Sequence, residues 1–386
     1  MARREHTQHN QIDKRKTASA SAGRKEKPTE AGRRSDRPRA DRNAAPKRGG
    51  QTPAGKRGAN RASGEDRRAG ERAQTERMPM TFTASGTAAR DWALPVAVSV
   101  ETEAQLAEVL KHDAVALVYL DEACFTDFAA AIRQLHAAGK QAGLRLRRIA
   151  REFDASGRKA ENSAELLNAL WKAECLPDVI LVRNLDEAML LEDFFGAHPE
   201  LKTRIRRNFD YTVYGYNQEA IQALVSLGAD GLTYPIELTY HECRKLREKL
   251  RSSGAEGARG TDADADSIGL GELPFELMIY GHLPMMVSAN CIQRTSARCD
   301  HGNRILQLRD RMGKDMPVRC YCTYCYNQIF NAEPLVLYDL PDEVRALQPQ
   351  CLRYDFSVEP AAVVRQVLEG AVPRSMTRGH FRHGIE

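Results

Sequence analysis

Between Asp91 and Val372 short apolar runs alternate with amphipathic stretches, and this alternation limits the possible folds more than any other feature of the sequence. The apolar runs are Pro95–Val100, Val115–Leu120, Gly143–Ile149, Asp178–Val182, Phe209–Tyr214, Gly231–Tyr234, Phe275–Gly281 and Cys351–Phe356. Runs this short and this apolar suit strands covered on both faces. The stretches between them carry helical spacing. Leu106, Val109 and Leu110 share one face, and Phe125, Phe128, Ile132 and Leu135 form another single stripe. Further helices are expected at 164–173, 185–195, 218–227, 240–250 and 361–370, and Gly228 stands where a C-terminal cap belongs. Ser252–Glu272, rich in Gly, Ala, Asp and Ser, reads as a mobile loop.

Strand–helix alternation calls for a parallel sheet. Eight steps over residues 91–372 match a closed TIM-like (β/α)8 barrel. An open doubly wound sheet is the competing arrangement, but the first strand lacks the Gly-x-Gly-x-x-Gly turn of a dinucleotide site. A barrel puts its chemistry at the C-terminal ends of the strands. The residues there are Asp121, Glu122, Arg148, Arg151, Arg183, Asn184, Asn217, Glu237, Tyr280, His282, Asp355 and Glu359.

Charge is distributed unevenly. Residues 1–80 hold 22 Lys/Arg against 10 Asp/Glu and no Phe, Trp or Tyr. Such a segment cannot bury enough apolar surface to offset chain entropy and is expected to be a disordered basic arm. It suits sequence-independent contact with nucleic-acid phosphates, or simply a solubilising tail. Residues 373–386 read as a C-terminal tail. No run approaches the ~18–20 apolar residues of a membrane span, and residues 1–30 show no apolar signal core. A cytoplasmic protein without a membrane partner is the expectation.

Five of the nine cysteines, Cys291, Cys299, Cys320, Cys322 and Cys325, fall within 35 residues between the last two strands. A reducing compartment disfavours structural disulfides and turns such a group toward metal. The spacing Cys291-x7-Cys299-x22-Cys322-x2-Cys325 ends in a Cys-x-x-Cys turn, a half-site used for zinc and for iron–sulfur clusters alike. A zinc ribbon normally pairs two such knuckles, and the first pair here is opened to seven intervening residues. Iron–sulfur, zinc and unligated thiols all stay open on spacing alone.

The run Tyr280-Gly-His-Leu-Pro-Met-Met-Val-Ser-Ala-Asn-Cys291 resembles the central motif of the peptidase U32 (collagenase-like) family. So do Cys299, Leu308-Arg-Asp-Arg311, Pro317-Val318, Cys322-x-x-Cys325-Tyr-Asn327 and Asn331. Upstream, Arg183-Asn-Leu185, Tyr214-x-Tyr216-Asn217 and Glu237-Leu238 match as well. The likeness covers about residues 92–370 and is closest to the C-terminal half of long U32 proteins. It implies a TIM-like barrel with a cysteine-rich insertion at 284–334. It further implies a [4Fe-4S] cluster on Cys291, Cys299, Cys322 and Cys325, with Cys320 as an extra thiol able to replace Cys322. Two departures are Arg147, where relatives often carry Pro, and the basic arm.

The activity the resemblance implies is oxygen-independent hydroxylation of an RNA base, with a small anionic donor such as prephenate. A second U32 subunit is an implied partner, because long relatives join two such units. Arg151 and Arg148 suit the anionic donor, since guanidinium binds carboxylate bidentately. Glu237 and His282 are the candidates for proton transfer, and Asn184 and Asn217 complete the substrate-binding set. The alternatives are a peptidase, as the family name says, and a non-catalytic iron–sulfur subunit. The sequence has no His-Glu-x-x-His or Gly-x-Ser-x-Gly to support the peptidase.

Overall fold

The computed structural model describes residues 80–383 apart from 155, 258–268, 296–298 and 300. The basic arm through residue 79 lies outside the described residues, as does the larger part of the loop expected at 252–272. In chain order the main elements begin with β1 (Phe82–Ser85), β2 (Val96–Val100), α1 (Glu103–Val109), β3 (Val115–Asp121), α2 (Phe128–Ala137) and β4 (Gln141–Arg145). Next come α3 (Ser163–Lys172), β5 (Val179–Val182), α4 (Leu185–Ala197), β6 (Arg206–Phe209), α5 (Gln218–Ser226), β7 (Gly231–Thr233) and α6 (Tyr240–Gly257). The cysteine region is built from β8 (Phe275–Ser288), α7 (Ile292–Thr295), β9 (Ile305–Arg309), β10 (Asp315–Tyr321) and β11 (Tyr326–Val336). The chain closes with α8 (Pro341–Ala346), β12 (Cys351–Asp355), α9 (Ala361–Leu368) and β13 (Ala371–Pro373).

Strands β2 to β8 pair in sequence order and all in parallel. β12 then pairs with both β2 and β8, so that Tyr354 lies opposite Val98 on one side and Tyr280 on the other. The chain therefore folds as a closed (β/α)8 barrel. Alternation along each strand divides the side chains into two sets. Val96, Val98, Val118, Leu120, Leu144, Ile180 and Val182 point outward and join the helix stripes in the main core. Leu106 and Val109 of α1, and Ile132 and Leu135 of α2, are buried there as their spacing requires.

The inward set begins as an apolar plug of Ala97, Leu117, Tyr119, Val179 and Leu181. A Cβ on Gly143 would lie 2.3 Å from the Tyr119 ring, so glycine there makes room for the plug. Above it the interior is charged. Arg353, fully buried, pairs with Asp210 at 2.7 Å, Glu276 at 2.6 Å and Asp355 at 3.1 Å. Arg183 reaches Asp121 and Asp210, and Arg145 reaches Asp121 and Glu101. Glu276 also accepts from Tyr119 OH, which in turn accepts from Asn208.

Several boundaries differ from those expected; β4, for one, ends at Arg145 and not at Ile149. The fifth barrel strand, β6, is Arg206–Phe209 and not Phe209–Tyr214, because its polar residues have partners: Arg207 bonds Asp230 and Glu192, and Asn208 faces the interior. The helix expected at 240–250 is longer, since α6 runs on to Gly257 through the start of the expected loop. β8 continues to Ser288, so the insertion begins as an extension of a barrel strand. Within it Gly281 has φ +151°, and an added Cβ would lie 2.8 Å from Asp355 O, so the position excludes a side chain. The expected tail is docked as far as described. Thr377 donates to Pro334 O, Arg378 pairs with Asp339, and Phe381 is buried with its carbonyl accepting from Tyr240 N–H.

Burial pushes Glu276 upward, with Asp210 and Asp355 adding to the effect. Burial also disfavours ionised Asp210, yet Arg353 and Arg183 together hold it below its unfolded value of 3.8. The stability Asp210 supplies is therefore present above that pH and is lost as the pH falls through the folded value. Asp210→Asn should lower stability at pH 7 by ~3–5 kcal/mol, by leaving buried guanidinium charge uncompensated. It should also reduce the loss of stability below about pH 4. Urea denaturation at a series of pH values checks both, and a variant matching wild type at pH 7 would contradict them.

Candidate active site

The C-terminal ends of β4, β6 and β7 and the stretch of β8 at Pro284 surround a small cleft. Arg148, Tyr211, Thr212, Tyr214, Tyr216, Ile236, Glu237 and Pro284 line it, enclosing about 30 Å³. After β6 the chain turns through a short 3₁₀ segment, Tyr211–Val213, capped by Asp210, whose carboxylate accepts from Tyr211 N–H. Thr212 Oγ1 donates to Arg183 O at 2.7 Å and ties this turn to the end of β5. Tyr216 OH donates to Glu237, and burial together with that carboxylate pushes the phenol upward. Arg148 is half-buried and makes no ion pair with a described residue. The cleft thus combines a guanidinium that has no ion-pair partner among the described residues, a carboxylate and three tyrosine rings.

The expected site residues separate in space. Arg148 and Glu237 meet in this cleft. Arg151 is exposed and does not line it. His282 is buried, its Nδ1 2.8 Å from Asn331 O and its Nε2 3.7 Å from Glu359, so both ring nitrogens face protein groups. Asn184 is the N-cap of α4: its side-chain oxygen accepts from Glu187 N–H, while its amide donates to Arg147 O and Arg148 O. Its job is to hold the loop that carries Arg148. Asn217 caps α5 in the same way, accepting from Ala220 N–H, and is exposed.

Over another sector of the mouth lies the cysteine region. β11 pairs antiparallel with the extended β8, and β10 and β9 continue that sheet outward. The β10–β11 hairpin turns through Cys322–Cys325 between the paired Tyr321 and Tyr326, with Cys325 at φ +54°. Three contacts from this hairpin, and one from Asn303 ahead of β9, fasten the region to the barrel. Arg319 Nε donates to Glu101 at 2.6 Å, Tyr321 OH donates to the same carboxylate at 3.2 Å, and Asn303 Nδ2 donates to Ala123 O at 3.5 Å. Arg147 stacks 4.4 Å from the Tyr324 ring while its guanidinium bonds Glu122. Arg147 therefore fills a joining role where the sequence comparison anticipated Pro.

Cys291, Cys320 and Cys322 are buried, Cys325 is half-buried and Cys299 is exposed. Burial pushes the Cys322 thiol up to about 12, and Cys320, Cys291, Cys299 and Cys325 all add to that shift. Among the described residues no three His, Cys, Asp or Glu side chains are already arranged around a metal position. Cys322 Sγ instead donates to Gly302 O, and its backbone N–H is held by Asn303.

The sequence reading passed over several groups. Arg145, Arg183 and Arg319 carry buried N–H groups that have no hydrogen-bond acceptor among the described residues. Cys124 is a further, half-buried thiol 3.7 Å from Glu101. Arginines at inward positions of otherwise apolar strands, as in Leu144-Arg145-Leu146 and Leu352-Arg353-Tyr354, were the available signal.

No protein-family model matches the chain, and no curated protein matches it. Solved structures similar to it are barrels of low identity. The spore cortex-lytic enzyme SleL of Bacillus cereus has a TM-score of 0.34 at 8% identity, over 74% of this chain and 76% of that one. A chitinase of Chromobacterium violaceum has a TM-score of 0.34 at 11% identity, over 72% and 99%. A glycerol uptake operon antiterminator regulatory protein of Listeria monocytogenes has a TM-score of 0.29 at 13% identity, over 48% and 80%. Likeness at this level says nothing about activity.

Glu101 is the acceptor for both Arg319 and Tyr321, so Glu101→Ala should loosen the hairpin. Hydrogen bonds to a charged group contribute ~1.5–3 kcal/mol, so Cys322 in metal-free protein should react with a maleimide at least about tenfold faster. Mass-resolved thiol labelling checks this, and an unchanged Cys322 rate would contradict the clamp.

Proposed function

We propose that the chain is an iron–sulfur, oxygen-independent hydroxylase of an RNA base, or one subunit of such an enzyme, of the U32 type. The observation that carries this reading is a hairpin bearing Cys320, Cys322 and Cys325 fastened to the mouth of a barrel, with Cys291 and Cys299 in the same insertion ahead of it, on a barrel whose mouth also holds a cleft with Arg148 and Glu237. The donor set suits the group: all-sulfur ligands favour iron–sulfur or zinc, and the Cys322–Cys325 turn offers two sulfurs from one tight bend. Cys291, Cys299, Cys322 and Cys325 would hold a [4Fe-4S] cluster, with Cys320 the thiol that could replace Cys322. Bound there, the cluster would supply one-electron transfer.

The remaining roles fall to side chains of the cleft. Arg148, which has no ion-pair partner among the described residues, suits one carboxylate of a small anionic donor such as prephenate. Glu237 is placed to hold or move a proton at its carboxylate, with Tyr216 OH fixing its orientation. His282, already engaged by Asn331 O and Glu359, fits a supporting role better than proton transfer. Arg151, expected to hold the donor, gives that role to Arg148. The basic arm, outside the described residues, would add phosphate affinity that weakens with salt, and a second U32 unit would complete the assembly.

Mass spectrometry of nucleosides from RNA of a deletion strain tests the reading. One nucleoside should lose the mass of an oxygen atom; the wild-type gene should restore it, and Glu237→Gln should not. An unchanged nucleoside profile would overturn the proposal.

A further inference from the structure

We propose that Tyr214 is the platform on which the substrate base stacks, its edge turned toward Glu237. This rests on the nucleic-acid reading above and adds the residue that captures the base. Tyr214 adopts φ +60° and ψ +50°, the left-handed conformation that L-residues other than Gly and Asn seldom occupy. Strained backbone of this kind persists only where its surroundings over-determine it. Here they do. Tyr214 N–H donates to Tyr211 O at 3.2 Å, Tyr216 N–H donates to Tyr214 O at 2.8 Å, and Thr212 is tied to β5.

Burial of the ring does not compensate for the strain, because Tyr214 is 53% exposed while its neighbour Tyr211 is buried. Glycine would form the same turn more favourably. The ring stands edge-on to Tyr216, with centroids 5.6 Å apart and planes at 83°, and both tyrosines line the cleft with Arg148 and Glu237. A rigid, outward-facing aromatic beside a hydrogen-bond acceptor is the equipment for a flat heteroaromatic ring with an N–H on its edge. Stacking supplies affinity for any base, and Glu237, already oriented by Tyr216, would accept from the base edge. Arg148 is left for the anionic donor.

The test uses the full-length chain and fluorescence anisotropy with two probes: an oligouridylate of about ten nucleotides and an abasic ribose-phosphate oligomer of equal length. Wild type should bind oligouridylate more tightly than the abasic oligomer. Tyr214→Gly should weaken oligouridylate binding roughly tenfold or more, leave the abasic oligomer unaffected, and melt at or above the wild-type temperature because glycine relieves the backbone. Tyr214→Phe should retain binding. Equal binding of both probes by wild type, undiminished oligouridylate binding by Tyr214→Gly, or a Tyr214→Gly chain that melts well below wild type would each overturn the inference. If the Tyr214→Gly defect appears while a deletion strain keeps its nucleoside profile, the platform stands and the hydroxylation reading alone fails.

Discussion

The buried guanidinium of Arg353 is the interaction on which the rest of the barrel depends. It lies in the interior with no exposure and meets carboxylates from β6, β8 and its own strand, β12. β12 is also the strand that closes the barrel. A charge of this kind is tolerated only when its partners are in place, since an isolated buried ion costs several kcal/mol. Closure and charge pairing are thus one event: the last strand can seat itself only where Asp210 and Glu276 already wait. The different behaviour of these two acids follows from their surroundings. Asp210 is shared with Arg183 as well as Arg353 and is held low, whereas Glu276, whose one ion pair among the described residues is with Arg353, is pushed up by burial and by the neighbouring Asp210 and Asp355.

From that hub the pairing passes upward through Asp121 and Arg145 to Glu101, the carboxylate that holds Arg319 and Tyr321 of the cysteine hairpin. A continuous polar path therefore runs from the barrel interior to the base of the thiol group. Pairing of this kind fixes position more than it adds net stability. The same economy shows at Arg147, which joins Glu122 of the barrel to Tyr324 of the hairpin.

Much of the barrel was legible because its outward faces obey simple periodicity. Val96, Val98 and Val100 on β2, and Val118 and Leu120 on β3, could only be strand residues packed beneath helices. The fifth barrel strand, β6, was misplaced because Arg206, Arg207 and Asn208 are polar, and the partners of Arg207 and Asn208, namely Asp230, Glu192 and Tyr119, come from other parts of the chain. The length of β8 was hidden by Gly281 and Pro284, which usually end strands and here mark a positive φ and an irregular pairing. In the site, the cysteine spacing pointed to the hairpin turn, and the order of the chain put Arg148 and Glu237 at the mouth. Asn184 and Asn217 looked like substrate ligands because strand-end Asn at the mouth serves either purpose. Only the hydrogen bonds to Glu187 and Ala220 N–H separate a cap from a ligand.

The central claim is that the thiols of the cysteine region hold an iron–sulfur cluster and not zinc or nothing. Anaerobic purification followed by absorption spectroscopy with iron and acid-labile sulfide analysis tests it most directly. A brown protein with about four iron and four sulfide per chain, losing its colour when Cys291 is replaced by Ser, is the expected result. A colourless protein carrying about one zinc per chain would contradict it.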